Sequence, residues 1–336
     1  MKIGIVTQPL LNNYGGVLQN YALQNVLKRL GHEAVTFDCC YKPIPWWIYL
    51  CSWLKTLLLF FVPGKRRAFA KITVVEKRKG FFEEFVSKNI CKTKPVTSLS
   101  RYPELTNQFD AFVVGSDQVW RPKYAPNIDD AFLVFLKKDS ARRVAYAASF
   151  GVDNWEYTPQ QTEKCAAFAK KFNDISVREE SGVDLCKENF GVEAAWVLDP
   201  TLLLNKEDYF ELCKDVPVKK GNVLAVYMLD ANDAVLSLCH KIAMERGLEL
   251  NVVSADARAS LSVPEWLAMF RDASYVVTDS FHGTVFSIIF GKEFNCIYNE
   301  TRGKARFESL LNLYNSGKLE GMRQFSLKWL KDALES

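Results

Sequence analysis

One stretch of the chain places an imidazole, a glycine and several hydroxyl groups at the junction of two predicted elements. Residues 275–278 are typical of a buried strand, because β-branched and aromatic side chains fit a pleated surface. After Asp279 and Ser280, apolar residues recur at helical spacing from Gly283 onward. His282 is therefore predicted in a loop between the carboxyl end of a strand and a helix, where ligands bind in open α/β sheets.

The chemistry predicted for this junction is the binding of a small anion beside a titratable ring. The backbone amides of Gly283, Thr284 and Val285 are predicted to begin the helix without partners, and such amides attract anions. His282 stands at the same point as a candidate general acid or base. The alternative is a histidine that only packs in its loop, but the strand–loop–helix context favours the catalytic interpretation.

Three motifs in order along the chain carry a family resemblance. They are Asn-Asn-Tyr-Gly-Gly-Val-Leu-Gln at 12–19, Val-Gly-Ser-Asp-Gln-Val-Trp at 114–120 and Thr-Asp-Ser-Phe-His-Gly-Thr-Val-Phe-Ser at 278–287. Together they resemble the polysaccharide pyruvyl transferase family, from Met1 to about Tyr314. The resemblance implies that pyruvate moves from phosphoenolpyruvate to two hydroxyls of a sugar and forms a cyclic ketal. It also implies two Rossmann-like halves around a cleft, as in the GT-B arrangement.

We predict His282 as the catalytic residue, serving as general acid and base. The donor carries a phosphate and a carboxylate, so its site needs cations and aimed amides. The resemblance implies that Arg178 holds the donor, the alternative being a surface arginine that opens a helix. The other predicted donor-binding residues are Gly283, Thr284, Arg302, Lys304 and Arg306. The predicted acceptor-binding residues, polar or flexible groups at strand ends, are Asn13, Tyr14, Gly15, Gln19, Ser116, Asp117, Gln118, Asp279 and Ser280. Asp117 and Asp279 have alternative roles, either orienting His282 or capping a helix.

One position departs from the family pattern. Better-known members resemble Arg-Leu-His-Gly where this chain has Ser280-Phe281-His282-Gly283. The change removes a candidate clamp for the donor. The basic cluster at 302–306 is the predicted replacement, with at least one member facing the cleft.

Alternating strand and helix patterns predict an α/β fold with mostly parallel sheets. We place a Rossmann-like domain at 1–205 and a second one, with a terminal helix, at 206–336. The first βαβ unit lacks the Gly-x-Gly-x-x-Gly fingerprint, so no dinucleotide cofactor is expected. Phosphoenolpyruvate is expected as a co-substrate, without any cofactor.

A helical insertion at about 44–88 interrupts this pattern. Residues 44–62 are strongly apolar and include Trp46, Trp47 and Trp53, and a basic run follows them. The combination is typical of a helix on an anionic membrane surface, with peripheral contact through 44–71. A buried or dimerising insertion is an equal alternative. A true span is less favoured, because Lys55 lies in the middle and a proline near the start.

Bulk composition excludes several classes of function. A net charge of +4 gives little reason to expect nucleic acid as a partner. The nine cysteines are scattered without a Cys-x-x-Cys pair, which predicts reduced thiols, no disulfide framework and no metal site. The start of the chain leads directly into a strand without the apolar core of a signal peptide, so a cytoplasmic protein is expected.

The leading hypothesis is a pyruvyl transferase acting on a glycan or its lipid-linked precursor. The first alternative is a GT-B glycosyltransferase that binds a nucleotide sugar at the same helix start. The second is a non-catalytic glycan-binding or assembly protein, for which Ser280 in place of arginine is the best support.

Overall fold

The computed structural model describes residues 1–40, 46–60, 80–125, 127–137, 141–219, 221–230, 232–254, 261–297 and 303–335. Ten strands in these ranges form two parallel sheets. The first sheet has the order β2-β1-β3-β4-β5-β6 and the second the order β10-β9-β7-β8. The strands are β1 (Lys2–Val6), β2 (Glu33–Thr36), β3 (Ala111–Val114), β4 (Arg142–Ala148), β5 (Asp174–Val177), β6 (Ala195–Trp196), β7 (Val223–Met228), β8 (Glu249–Ser254), β9 (Tyr275–Thr278) and β10 (Glu293–Cys296).

Helices cover both sheets, which is why the central strands β3 and β7 are buried along their whole length. Side-chain caps begin several of them, as at Ser262, whose predicted capping box with Glu265 is present. The helices are α1 (Tyr14–Arg29), α2 (Trp46–Phe60), α3 (Gly80–Asn89), α4 (Pro103–Thr106), α5 (Ile128–Ala131), α6 (Pro159–Ala169), α7 (Ser181–Leu185), α8 (Lys206–Leu212), α9 (Asp233–Arg246), α10 (Val263–Asp272), α11 (Phe281–Ile289), α12 (Lys304–Asn315) and α13 (Leu319–Glu335).

The predicted α/β fold with two Rossmann-like parallel sheets is confirmed. The boundary placed at 205/206 falls between β6 and β7, the last strand of one sheet and the first of the other. The two units share one apolar core. At their junction Tyr14 stacks on Trp266, with ring centroids 5.0 Å apart, and its hydroxyl donates to the carbonyl of Leu261 at 2.7 Å.

The terminal helix α13, which the sequence assigned to the second domain, packs on the first. The amide of Leu198 donates to Ser326 Oγ at 3.0 Å, and the ring of Trp329 lies 6.1 Å from that of Tyr146 on β4. The apolar face of α13 therefore covers the first sheet, a long-range contact that periodicity within the helix does not encode. The chain crosses back between the units at this point.

The insertion at 44–88 consists, in its described parts, of α2 and most of α3. Phe82 and Phe85 of α3 are buried, and Phe82 contacts Tyr14 at 4.9 Å between ring centroids. In contrast, α2 exposes a row of large apolar side chains. Of the helices in the described ranges, none is both long and apolar enough to cross a bilayer.

Candidate active site

A cleft of about 340 Å³ lies where the carboxyl ends of strands from both sheets converge. The loops after β3 and β9 contribute to its walls, together with the start of α1 and the start of α12. Its lining residues are Asn12, Asn13, Asp117, Gln118, Arg121, Tyr124, Tyr227, Leu229, Asp279, Ser280, Phe281, His282, Arg306 and Phe307. Both units are needed to form it.

His282 lies in the first turn of α11, on the wall of this cleft. Its side chain is 9% exposed, and its Nε2 lies 3.6 Å from Asp199 Oδ2. That separation is longer than a hydrogen bond and suits an ion pair when the imidazole is protonated. The ring is therefore held with one nitrogen toward a carboxylate at the edge of a water-accessible cleft.

Asp199 is the residue that sequence reasoning missed. It follows the short strand β6, and its side chain is completely buried. One carboxylate oxygen accepts hydrogen bonds from the amide and hydroxyl of Thr201, at 3.0 and 2.7 Å. The other accepts from Arg178 Nη1 at 2.9 Å and faces His282. The available signal was an aspartate at a strand end, the same signal that pointed to Asp117 and Asp279.

The surroundings of Asp199 keep its carboxyl group ionised. Burial alone would raise its pKa, but the contacts with His282, Arg178 and Thr201 outweigh burial and lower the pKa. A carboxylate that stays charged 3.6 Å from an imidazole nitrogen can orient the ring and stabilise the imidazolium whenever the ring takes up a proton. This is the arrangement expected for a histidine that gains and loses a proton during a reaction.

Arg178 lies beneath the cleft. Its side chain is 2% exposed, and its guanidinium donates to Asp199, to Asp117 at 3.3 Å and to Ser149 Oγ at 3.2 Å. Burial opposes its charge, yet Asp117, Asp199 and Glu179 together raise its pKa. Arg178 already forms ion pairs with Asp117 and Asp199. Its assigned role in binding the donor therefore stays a prediction.

The start of α11 differs from its predicted form. The helix begins at Phe281, and Ser280 is its N-cap, with Oγ accepting from the amide of Gly283 at 3.3 Å. The amide of Thr284 donates to the carbonyl of Ser280 at 2.9 Å. The amides of Gly283 and Thr284 therefore have partners, contrary to our prediction. The helix starts two residues earlier than its apolar spacing indicated.

Gly15, at the start of α1, leaves room for the imidazole of His282 because it has no side chain. A Cβ on Gly15 would overlap the imidazole of His282, with Cε1 only 2.7 Å away. The first and third sequence motifs thus meet at this point, across the two units. We predicted that Gly15 lets an acceptor approach the backbone, whereas the group that approaches it is His282 itself.

Three predicted acceptor-binding residues lie in the interior. Tyr14 is buried between the units, as described above. Gln19 is fully buried, donating to Thr7 Oγ1 and accepting from the amide of Ser116. Ser116 is also fully buried and donates to the carbonyl of Ala147. These side chains hold the cleft loops in place and do not form the cleft wall.

Of the predicted basic cluster, Arg306 reaches the cleft. It is 8% exposed, and its guanidinium lies 5.4 Å from the ring centre of Phe281, which Arg178 also contacts at 4.7 Å. Burial, and then the nearby charge of Arg178, lower the pKa of Arg306 to about 10. Lys304 instead pairs with Glu308 at 3.3 Å on the outer side of α12. Arg302 lies outside the described residues.

Arg121 is a second cation of the cleft that the sequence did not reveal. Glu156 binds it through two hydrogen bonds of 2.8 and 3.1 Å, and Arg121 donates in turn to Gln118 Oε1 at 3.0 Å. Hydrogen bonding to Arg121 lowers the pKa of Glu156 to about 2. The ion pair thus holds the side chain of Gln118 in position. Glu156 lies 35 residues from Arg121 in the sequence, so no local pattern indicates that the two side chains pair.

The comparisons with known proteins decide the family. The sequence model of the family "Polysaccharide pyruvyl transferase" matches residues 13–301, most of the chain. The chain belongs to the polysaccharide pyruvyl transferase family. No curated protein matches the sequence.

Solved structures resemble this pyruvyl transferase family member in fold. A putative UDP-N-acetylglucosamine 2-epimerase from Listeria monocytogenes aligns with a TM-score of 0.51 at 11% identity, covering 100% of this chain and 96% of the other. A UDP-GlcNAc 2-epimerase from Neisseria meningitidis gives 0.47 at 10% identity, with 99% of each chain covered. The Listeria match supports the two-domain GT-B arrangement and, at this identity, indicates the fold alone.

Ser280, where the sequence resemblance led us to expect an arginine, is the N-cap of α11. Ser280 lines the cleft, and its hydroxyl caps α11, so it lends no charge to a donor. Asp279 also lines the cleft, but its two oxygens accept from the amides of Leu229 and Asp230, at 2.6 and 2.8 Å. Burial raises the pKa of Asp279. Asp279 thus anchors the loop after β7, a role different from orienting His282.

Three of the remaining predicted acceptor residues line the cleft. They are Asn13, whose Oδ1 caps α1 by accepting from the amide of Gly16, Asp117, and Gln118. Asp117, in the loop after β3, has a φ of +73° and pairs with Arg178. In the described ranges no cluster of three or more His, Cys, Asp or Glu side chains is arranged for a metal ion.

Proposed function

We propose that this protein transfers pyruvate from phosphoenolpyruvate to two hydroxyls of a sugar in a surface polysaccharide or its lipid-linked precursor, forming a ketal. The observation that carries the proposal is His282, held against the ionised Asp199 on the wall of a cleft that also carries the cation of Arg306. The family match supports it independently.

The reaction needs one proton delivered and two removed. The first sugar hydroxyl adds to the enol carbon and loses its proton, while the methylene carbon gains a proton and becomes a methyl group. The second hydroxyl then displaces phosphate, which leaves with the second proton. His282, as acid and base, serves these steps, and Asp199 stabilises the imidazolium between them.

A cation must balance the charge of the donor. Arg306 is desolvated and close to Arg178, so a bound anion relieves both the burial of its charge and the repulsion between the two guanidinium groups. Arg306 thus supplies the positive charge that an arginine at position 280 would have given to the donor site. Asn13, Asp117 and Gln118, on the opposite unit, are the groups we assign to the acceptor hydroxyls.

Calorimetry with phosphoenolpyruvate tests the donor assignment. Arg306→Gln is expected to weaken binding by about 1.5–3 kcal/mol, the range for a hydrogen bond to a charged group. Lys304→Gln, two residues away but paired outward with Glu308, is the matched control and is expected to bind like wild type.

Two results would refute the donor assignment. One is equal affinity of the two variants. The other is binding of uridine diphosphate with no binding of phosphoenolpyruvate, which would indicate a glycosyltransferase instead.

A further inference from the structure

The helix α2 turns its apolar side to solvent. Six large side chains are about half exposed or more, from 47% at Trp53 to 75% at Trp46. With 3.6 residues per turn they occupy an arc of about 120° around the helix. They are Trp46, Trp47, Leu50, Trp53, Leu54 and Leu57. On the other side, Thr56 is buried and donates to the carbonyl of Ser52.

This orientation is the reverse of that expected for a helix of a globular protein, whose apolar stripe faces the core. A contiguous exposed stripe of this kind marks a surface for a partner or a membrane. We refer to the six side chains as the α2 face.

The charge around α2 identifies the kind of partner. From Tyr41 to Phe82 the sequence has nine lysines and arginines but a single carboxylate, Glu76, a net charge of +8. The whole chain carries +4, so the rest of the molecule is negative, at −4. Cationic charge is thus concentrated in the segment that carries the apolar face, which favours an anionic surface.

The same charge opposes pairing of two copies through this face. A symmetric dimer places the same patch of both chains together, which here brings two segments of +8 into contact. Binding to an anionic bilayer is instead strengthened both by the positive charge and by the apolar α2 face. Tryptophan is one of the two aromatic side chains enriched at membrane–water interfaces, and the α2 face has three tryptophans.

We propose that α2 lies flat on an anionic membrane surface, with the α2 face inserted at the headgroup–acyl boundary. At 15 residues the helix is about 22 Å long, short of the ~20 apolar residues that a span needs. The contact is interfacial and reversible, strengthened by the neighbouring cations. The inference is independent of the reaction proposed above, because it needs no turnover.

Co-sedimentation with vesicles tests the proposal. The full chain is expected to bind phosphatidylcholine vesicles containing phosphatidylglycerol and to remain in the supernatant with phosphatidylcholine alone. Binding should fall as salt rises from 0.1 to 1 M, because the screening length shortens from about 10 to about 3 Å. Replacing Arg66 and Arg67 by Glu, two cations of the basic run, should also weaken it.

Matched variants distinguish binding through the α2 face from non-specific adsorption through any exposed apolar side chain. Trp46→Ser with Trp53→Ser is expected to lower the partition coefficient more than tenfold. Met244→Ser, at an 84% exposed position on α9, is the control and is expected to bind like wild type. Circular dichroism establishes that each variant is folded.

Three outcomes would overturn the proposal. The first is wild-type protein that stays in solution with anionic vesicles at low salt. The second is vesicle binding by the Trp46→Ser/Trp53→Ser variant that equals that of the Met244→Ser control. The third is a wild-type dimer in sedimentation velocity that this double variant converts to a monomer, which would assign the α2 face to self-association.

Discussion

At the scale of single residues, the site depends on a contact between a carboxylate and an imidazole from different units. Asp199 lies after β6 of the first sheet, and His282 lies in the first turn of α11 in the second unit. Arg178 and Thr201 fix the carboxylate from behind. The geometry therefore makes Asp199 a positioning residue for His282.

Asp199→Asn tests that role. The variant is expected to lower kcat by about 100- to 10,000-fold, because a neutral amide no longer stabilises the imidazolium. Near-wild-type affinity for phosphoenolpyruvate distinguishes this loss of kcat from simple unfolding. Thr201→Val is the control, since it removes another partner of the same carboxylate but leaves its charge. If both variants lost kcat and affinity for phosphoenolpyruvate to the same extent, Asp199 would be structural only.

A second residue-scale prediction concerns the glycine beneath His282. Gly15→Ala is expected to reduce kcat at least 100-fold, because the added Cβ overlaps the imidazole and displaces it from Asp199. Gly16→Ala is the matched control. Its Cβ would meet Asn13 only at 3.5 Å or more, and alanine favours a helix. Steady-state turnover of both variants checks the prediction, which fails if Gly15→Ala keeps the activity of Gly16→Ala.

At the scale of elements, the start of α11 shows how far sequence reasoning extends. The strand–loop–helix succession around His282 was predictable, because β-branched residues and helical periodicity are local signals. The exact residue at which α11 begins was not predictable from the sequence. The hydroxyl of Thr278 accepts from the amide of Ser280, and the hydroxyl of Ser280 accepts from the amide of Gly283. The sequence offers both hydroxyls and does not show which one caps the helix.

The cap itself is measurable. Ser280→Ala is expected to lower the free energy of unfolding by about 1 kcal/mol, since the amide of Gly283 loses its acceptor. Ser280→Asp keeps an acceptor at this position and serves as the control. Urea unfolding followed by circular dichroism measures both, and equal stability of the alanine variant and wild type would remove Ser280 from the cap.

At the scale of the whole molecule, the sequence predicted the fold class, the two sheets and the order of their elements. It did not predict which residues meet across the units, since Tyr14 with Trp266, His282 with Asp199 and α13 with β4 are long-range contacts. The errors share this cause. Tyr14, Gln19 and Ser116 have polar groups suited to a ligand, but their burial was invisible in the sequence. Arg306 was found because its cluster follows the last strand.

The molecule has two features with separate proposed roles, the cleft and the α2 face. The cleft supplies the proposed chemistry, and the α2 face supplies a proposed means of staying near an anionic membrane. Each proposal has its own test. Failure of vesicle binding would not refute the proposed reaction, and absence of turnover would not refute the proposed membrane contact.

The most direct test of the central claim is phosphate release from phosphoenolpyruvate in the presence of a panel of glycans and lipid-linked precursors from the cell's own polysaccharide. We expect wild type to release phosphate in step with a gain of mass by one acceptor, which becomes a pyruvyl ketal. We expect His282→Ala to be slower by about 100- to 10,000-fold while it binds phosphoenolpyruvate within about tenfold of wild type. Turnover of His282→Ala at the wild-type rate, or phosphate release without any gain of mass by an acceptor, would contradict the central claim.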